Sequence, residues 1–179
     1  MVLKQKKLFW QIFPANLLIV LVVVLGVGWY SSRTAEQFYL DRSALDLVNR
    51  ANLIKTTVMA LLRAGEIEQL RVFAVESGRM SATRITVVDS AGRVLADSNE
   101  SPDSMDNHRN RPEIRQAFSG TPGSSVRFSN TLGERMLYSA VPLDLEPGID
   151  GVSTIGEYPA VLRLSIPITL STGWPSTAR

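Results

Sequence analysis

The sequence contains no cysteine among its 179 residues, which excludes disulfides, thiolate metal ligands and cysteine nucleophiles. It also has a single histidine, His108, and one imidazole with scattered carboxylates is a weak signal for a metal site. The sequence also lacks a large excess of positive or negative residues. The net charge is +2 and the basic residues are spread along the chain, which argues against nucleic-acid binding.

One long apolar segment is present, from Leu8 to Tyr30, interrupted only by Gln11 and Asn16. As a helix it spans roughly 34 Å, enough to cross a bilayer core. Aromatic residues lie at both ends, and lysines precede the segment. The positive-inside rule therefore predicts a cytoplasmic N-terminus, with everything after Ser31 outside. A cleaved signal peptide is the alternative, but no Ala-x-Ala site follows, so an uncleaved anchor is favoured.

Residues 31–63 contain no proline or glycine, which predicts one long helix continuing out of the membrane. Apolar residues recur along it at alternating steps of four and three. This seam consists of Leu40, Ala44, Leu47, Ala51, Ile54, Val58 and Leu61. The seam predicts pairing with the same helix of a second subunit, as a homodimer. Packing on its own domain is the alternative, and the two can hold at different levels along the helix.

Glycines mark the ends of two helices. Gly65 suits the left-handed position after the long helix. Residues 66–77 then read as a shorter helix, which Gly78 is expected to end by the same logic.

The rest of the chain reads as hairpins and one short helix. Turn residues at 89–92 join two strands within 84–97, and a second hairpin joins 125–130 to 135–143. A short helix opens at Pro112, where Asn110 and Glu113 fit a capping box. A last strand covers 160–168, after a loop rich in Gly and Pro at 144–159. The predicted fold class is α+β: a PAS-like or Cache-like five-stranded antiparallel sheet with flanking helices on one face.

Several runs resemble a known family, the phosphate-regulon-type sensor histidine kinases. The run from Ile85 to Ser98 (ITVVDSAGRVLADS) resembles the first hairpin of their extracytoplasmic domain. Residues 105–114 (MDNHRNRPEI) are similar to the next landmark, and 123–129 and 136–142 to the two strands that follow. The resemblance covers about residues 8–168. It implies extracytoplasmic sensing and signal input for a two-component phosphorelay, although related domains also occur on chemoreceptors and cyclases.

The resemblance gives a domain layout with one departure. The expected parts are a cytoplasmic N-terminus (1–7), a transmembrane helix (8–30), membrane-proximal helices (31–78), the sensor domain (79–168) and a tail (169–179). The family would continue with a second membrane helix, a HAMP linker and a kinase, and residues 169–179 show none of these. We therefore expect no enzymatic activity of this chain, as a region truncated before the catalytic domains of a histidine kinase. A stand-alone membrane-anchored binding module is a further alternative.

Candidate ligand-binding residues cluster in the central loop and the strands after it. In PAS-like sensors this places His108, Arg109, Arg111, Arg127 and Tyr138 near one pocket, and guanidinium groups suit an anion. The alternative is that the arginines are solvated or pair with Asp103, Asp106 and Glu113, and that His108 holds the loop by a hydrogen bond. Arg135 was a further candidate for the same cluster.

The predicted partners are the membrane, a second copy of the chain, and a small anion or an envelope or transport protein. No catalytic residue, metal, cofactor or nucleic acid is expected. The carboxylates of residues 97–106 lack EF-hand spacing, so a solvated acidic loop is the better interpretation.

Overall fold

The computed structural model describes residues 3–129, 133–143 and 160–168, with side chains from residue 13 onward except residue 15. The loop at 144–159, the tail at 169–179 and the turn residues Thr131 and Leu132 lie outside the described residues. Two compact units are present, Met1–Arg42 and Ser43–Arg179.

Helix α1 (Leu3–Arg63) is continuous, as the sequence predicted. Within the range Asn16–Arg63, an 18-residue window has a mean hydropathy of 1.7, and none of that window is buried. The side chains from Leu17 to Tyr30 are exposed, although most of them are large and apolar. Among the described residues this is one helix long and apolar enough to cross a membrane.

The second unit is built on a five-stranded antiparallel sheet, which confirms the predicted fold class. After α1 the chain forms α2 (Ile67–Ser81), β1 (Arg84–Val88), β2 (Val94–Asp97), α3 (Pro112–Phe118), β3 (Gly123–Ser129), β4 (Glu134–Leu143) and β5 (Ala160–Pro167). The spatial order is β2-β1-β5-β4-β3. The last strand is therefore the central one, paired with β1 on one side and β4 on the other.

Helices cover both faces of the sheet, whereas the sequence prediction placed them on one face only. Adjacent residues of a strand point to opposite faces. Val87 packs in a cluster with Leu47 of α1 and Leu70 of α2. Its neighbour Val88 packs in a separate cluster with Ile114 of α3. The correction follows from strands that are buried on both sides, since every residue of β1 is buried.

The predicted seam of α1 contributes to the core of the same chain. Leu47, Ala51 and Val58 are fully buried there, and Ala44, Ile54 and Leu61 pack partly buried against the same cluster. Leu40 belongs to the first compact unit. Intrachain packing was the alternative interpretation of the seam, and homodimerisation stays a prediction.

The two glycines expected to end helices have different roles. Gly65 has a φ of +71°, as predicted for the end of α1. The prediction for Gly78 was wrong, because α2 continues to Ser81 and Ala82 takes the left-handed conformation at φ +47°. A Cβ on Gly78 would lie 2.6 Å from the Cβ of Ser98, so this glycine permits close packing of α2 on the end of β2.

The prediction of a capping box at α3 was also wrong. Arg111 is the N-cap residue, its backbone is extended, and no side chain caps the helix. Pro112 occupies the first turn, as predicted. The carboxylate of Glu113 turns away from the helix end and binds side chains of β3 instead.

Candidate functional site: an arginine-lined cavity

A cavity of about 180 Å³ lies on the α3 face of the sheet, beneath the loop that joins β2 to α3. The strands contribute Arg84 from β1, Arg127 from β3, Tyr138 from β4 and Arg163 from β5, while the loop contributes His108 and Arg111. The remaining lining residues are Glu100, Ser104, Met105, Asp106, Phe128 and Ser129. The cavity is smaller than the range of about 300–1,000 Å³ usual for drug-sized ligands, so its size suits a small molecule or ion.

Glu113 is the buried counterion beneath the cavity. Its Oε1 lies 2.9 Å from Nη2 of Arg127 and 3.6 Å from Nη1 of Arg163. Its Oε2 accepts a hydrogen bond of 2.6 Å from the hydroxyl of Ser125. Burial acts to raise the pKa of Glu113, but the bond from Ser125 and the charge of Arg127 outweigh it and lower the pKa overall. Two guanidinium groups therefore share one ionised carboxylate.

Arg163 is the most deeply placed cation of the site, only 3% exposed on the central strand. Burial lowers its pKa to about 10 against the opposing charge of Glu113, which leaves the guanidinium charged at neutral pH. Its Nη2 donates to the hydroxyl of Thr86 at 3.0 Å. The Nε atoms of Arg163 and Arg127 are both buried without a hydrogen-bond partner among the described residues. Unpaired buried donors are costly, and both belong to arginines that line the cavity.

The ring of Tyr138 forms an aromatic wall against both cations. The guanidinium carbon of Arg127 lies 4.0 Å from the ring centroid, and that of Arg163 lies 5.1 Å from it. The register of the sheet explains the proximity. Tyr138 pairs with Ser165, which is two residues from Arg163 on the same face, and Arg127 pairs with Met136, which is two residues from Tyr138. Cation–π contact of this kind stabilises arginines without neutralising their charge.

A second network closes the β1 side of the cavity. The Nε of Arg84 lies 3.0 Å from Oδ1 of Asp97, and both side chains are buried. The hydroxyl of Thr86 donates to Oδ2 of Asp97 at 2.7 Å. Asp97 also accepts the backbone N–H groups of Asn99 and Glu100, which fixes the start of the loop over the cavity. Asp97 is therefore a structural, paired carboxylate rather than part of a solvated acidic loop.

His108 is buried in the loop and held by three short contacts. Its backbone N–H donates to the carbonyl of Gly92 at 2.8 Å, and its own carbonyl accepts from Arg111 at 3.0 Å. Its ring Nδ1 lies 2.7 Å from the carbonyl oxygen of Asp106. Burial first, then the charges of Arg163, Arg111 and Arg127, lower the pKa of His108 to about 4, against the opposing bond to Asp106. The imidazole is therefore neutral at pH 7.

The structure brings together four of the five predicted ligand residues. His108, Arg111, Arg127 and Tyr138 line the cavity, whereas Arg109 does not. The guanidinium of Arg109 donates to the carbonyl of Ser90, on a separate surface depression with Arg115 and Phe118.

Arg135 is exposed near the start of β4 and is not part of the cavity lining. The alternative interpretation also holds in part, because Arg127 pairs with Glu113 and His108 makes a loop hydrogen bond.

Sequence reasoning missed Arg84 and Arg163. Both lie on strands whose other residues are apolar or small, and both are buried. An arginine within a buried strand was the available signal, because such a charge requires a partner. Within the described part of the chain, no group of three or more His, Asp or Glu side chains could hold a metal ion.

Comparison with known proteins shows what this domain resembles. Residues 70–156 match the family model described as the WalK sensor protein kinase Cache domain. The sensor domain of the Vibrio cholerae histidine kinase DctB superposes with a TM-score of 0.51 at 14% identity, covering 76% of this chain and 55% of that one. No curated protein gives a significant sequence match.

A second solved structure has the same fold. The ligand-binding domain of the Pseudomonas fluorescens chemoreceptor CtaA, in complex with L-isoleucine, gives a TM-score of 0.50 at 16% identity, covering 73% of this chain and 52% of that one. This chain therefore matches about half the length of each of these two structures. Residues 70–156 are therefore similar to a Cache sensor domain, and the chain shares the fold of these two solved structures. The matching family model is that of the WalK sensor kinase.

Proposed function

We propose that this chain is the membrane-anchored input region of a two-component sensor histidine kinase of the phosphate-regulon type. The observation that carries the proposal is the Cache match at residues 70–156, on a chain whose N-terminal helix is apolar enough to cross a membrane. The similarity of the runs at 85–98 and 105–114 supports the phosphate-regulon type. A kinase following this region would be a histidine protein kinase.

The proposed layout keeps the boundaries taken from the sequence. Residues 1–7 are cytoplasmic, 8–30 cross the plasma membrane, and 31–78 form the membrane-proximal helices. The sensor domain at 79–168 is extracytoplasmic and the tail covers 169–179. Helices α1 and α2 contribute Leu47, Val58 and Leu70 to the core of the sheet domain, so they are the elements that would respond to a change in it.

The cavity is the proposed receptor site for the stimulus. A small anion bound by Arg111, Arg127 and Tyr138 beside His108 would alter the sheet, and α1 would carry the change inward. Direct contacts support this route within the second unit. The hydroxyl of Ser139 on β4 donates to the carbonyl of Ala44 on α1 at 3.3 Å. The ligand acts by favouring one of two arrangements, since only differential affinity shifts such an equilibrium. Direct contact with an envelope or transport protein is the other proposed stimulus.

The topology is testable because the chain has no cysteine. Met80 is 81% exposed on α2, so Met80→Cys offers an accessible thiol in the sensor domain. We expect a membrane-impermeant maleimide to label Met80→Cys in intact cells, and to label Lys4→Cys only after permeabilisation. Labelling of Lys4→Cys alone in intact cells reverses the orientation and overturns the proposal.

The output is tested by the coding DNA beyond Arg179, read in all frames. A second apolar span, a HAMP-like amphipathic pair and a phosphoacceptor histidine motif support a kinase. A methylation-helix or cyclase domain would instead make this the sensor of a chemoreceptor or cyclase. The chemoreceptor is the second candidate because the CtaA ligand-binding domain shares the fold. A stop codon followed by an unrelated gene would leave a stand-alone binding module.

A further inference from the structure

The cavity is lined by the only histidine of the chain, a residue whose ordinary pKa is 6.5. The ring nitrogen Nδ1 of His108 lies 2.7 Å from the carbonyl oxygen of Asp106. A carbonyl oxygen can only accept, so Nδ1 carries the proton of the neutral ring. The nitrogen that can gain a second proton is therefore Nε2.

Arginines from three strands and from the loop line the cavity beside this imidazole. Arg84 projects from β1, Arg127 from β3 and Arg163 from β5, while Arg111 belongs to the same loop. The carboxylates of Glu100 and Asp106 also line the cavity, as does the phenol of Tyr138. The buried carboxylate of Glu113 on α3 is already engaged with Arg127 and Arg163. Asp97 is likewise engaged with Arg84.

Burial and the charges of Arg163, Arg111 and Arg127 disfavour a positive charge on His108, whereas the same guanidinium groups suit an anion. The Nε atoms of Arg127 and Arg163 also lack a hydrogen-bond partner among the described residues. An anion in the cavity would screen the imidazole from the arginines and accept a hydrogen bond from Nε2–H. Both effects favour the charged form of His108, because an opposite charge within a few ångströms stabilises the ionised state.

We propose that the cavity binds a small oxyanion together with one proton, and that His108 takes up this proton at Nε2. The inference rests on the proposed role of the cavity as the ligand site and adds its regulation. The lowered pKa of His108 agrees with it, since the imidazole is neutral and has a proton to gain. By linkage, a ligand that binds the protonated form better must bind more tightly as the pH falls. The domain would then respond to anion and acidity jointly.

The test uses probe anions that do not titrate between pH 5 and 8, namely sulfate, methanesulfonate and trifluoroacetate. Any proton taken up on binding then belongs to the protein. Calorimetry on the full chain in nanodiscs, repeated in buffers of different ionisation enthalpy, counts that proton. If binding returns the pKa of His108 to about 6.5, affinity is about tenfold higher at pH 5.5 than at pH 7.5.

The variant His108→Asn keeps a donor for Asp106 but cannot be protonated. It should lose both the proton uptake and the pH dependence of affinity. The control variant Arg115→Gln, at an exposed position, should keep both.

A direct measurement avoids dependence on the variant's folding. Because the chain has one histidine, ¹⁵N-histidine labelling gives a single imidazole signal in protein purified without a histidine tag. We expect its pKa to rise by more than about one unit when a probe anion saturates the site. Binding with an unchanged imidazole pKa, or proton uptake that persists in His108→Asn, overturns this inference and leaves the receptor site standing. Absence of binding by all three anions at either pH overturns the inference and removes the anion site from the proposed function, whereas the membrane topology is tested independently.

Discussion

Glu113 carries the charge balance of the cavity at the scale of single residues. It is fully buried and is the carboxylate nearest to both Arg127 and Arg163. In Glu113→Gln the two guanidinium groups lose their shared counterion. We expect a loss of about 3–5 kcal/mol in the free energy of unfolding, typical of breaking a buried ion pair on one side. Chemical denaturation followed by circular dichroism measures it.

The matched control is Glu68→Gln, whose carboxylate is 82% exposed and lies 3.6 Å from Arg71. A surface pair of this kind should change stability by less than about 0.5 kcal/mol. Equal stability of the two variants would show that Glu113 is not the counterion on which the buried arginines depend.

His108 gives the domain a dependence of stability on pH. Its pKa is about 4 in the folded chain and 6.5 as the ordinary value, so the unfolded state binds more protons between these limits. Stability is therefore complete above about pH 6.5 and falls as the pH drops toward 4. The pKa of Glu113 is lowered from 4.5, so its own contribution is lost only below about pH 4.5.

Denaturation midpoints between pH 7 and pH 4.5 check this prediction. The wild-type chain should lose stability across that range, and His108→Asn should lose less. If the denaturation midpoints of the two chains change equally with pH, the fold does not lower the pKa of His108.

The residues of the site show how far sequence reasoning reaches at this scale. His108, Arg111, Arg127 and Tyr138 were predicted because PAS-like sensors place their pocket between the sheet and the central loop and helix. Arg163 was missed because its partners, Glu113 and Thr86, are remote along the chain and meet it only through sheet register. Local sequence does not encode which strand becomes a neighbour.

At the scale of secondary structure, α2 and β2 are held close by Gly78. A Cβ at this position would lie 2.6 Å from the Cβ of Ser98 and 3.0 Å from the carbonyl oxygen of Thr83. Although alanine has the higher helix propensity, we expect Gly78→Ala to destabilise the domain by about 1–3 kcal/mol through overpacking. Thermal unfolding measures the change. The exposed position Glu76→Ala on the same helix should change stability little, and a stabilised Gly78→Ala would contradict the tight approach.

Most helices and strands could be predicted from the sequence, but the residues at which they begin and end could not. Both hairpins and the long helix follow from turn chemistry and apolar periodicity. Gly78 was misread because a glycine that ends a helix and one that allows close packing look the same in sequence. The capping box at α3 failed because the carboxylate of Glu113 is recruited by Ser125 and Arg127, a tertiary competition that overrides the local motif.

At the scale of the whole molecule, the predicted homodimer would pair along α1. Val58 is fully buried in the chain's own core, whereas Leu40 lies in the other compact unit and is only partly buried. If the chain forms a homodimer along α1, Leu40→Cys should form an interchain disulfide in membranes under mild oxidation. Val58→Cys should not. Non-reducing gels show the result. No crosslink at Leu40, or crosslinking at Val58 instead, would contradict pairing of two chains along α1 at the level of Leu40.

The strand order has a consequence for biosynthesis. The β5 strand is the last to leave the ribosome, yet it lies between the two hairpins. Until Pro167 has emerged, β1–β2 and β3–β4 share no ladder, and each hairpin exposes an unpaired edge. The sheet can therefore close only after nearly all of the domain has been synthesised, and until then the exposed strand edges favour aggregation.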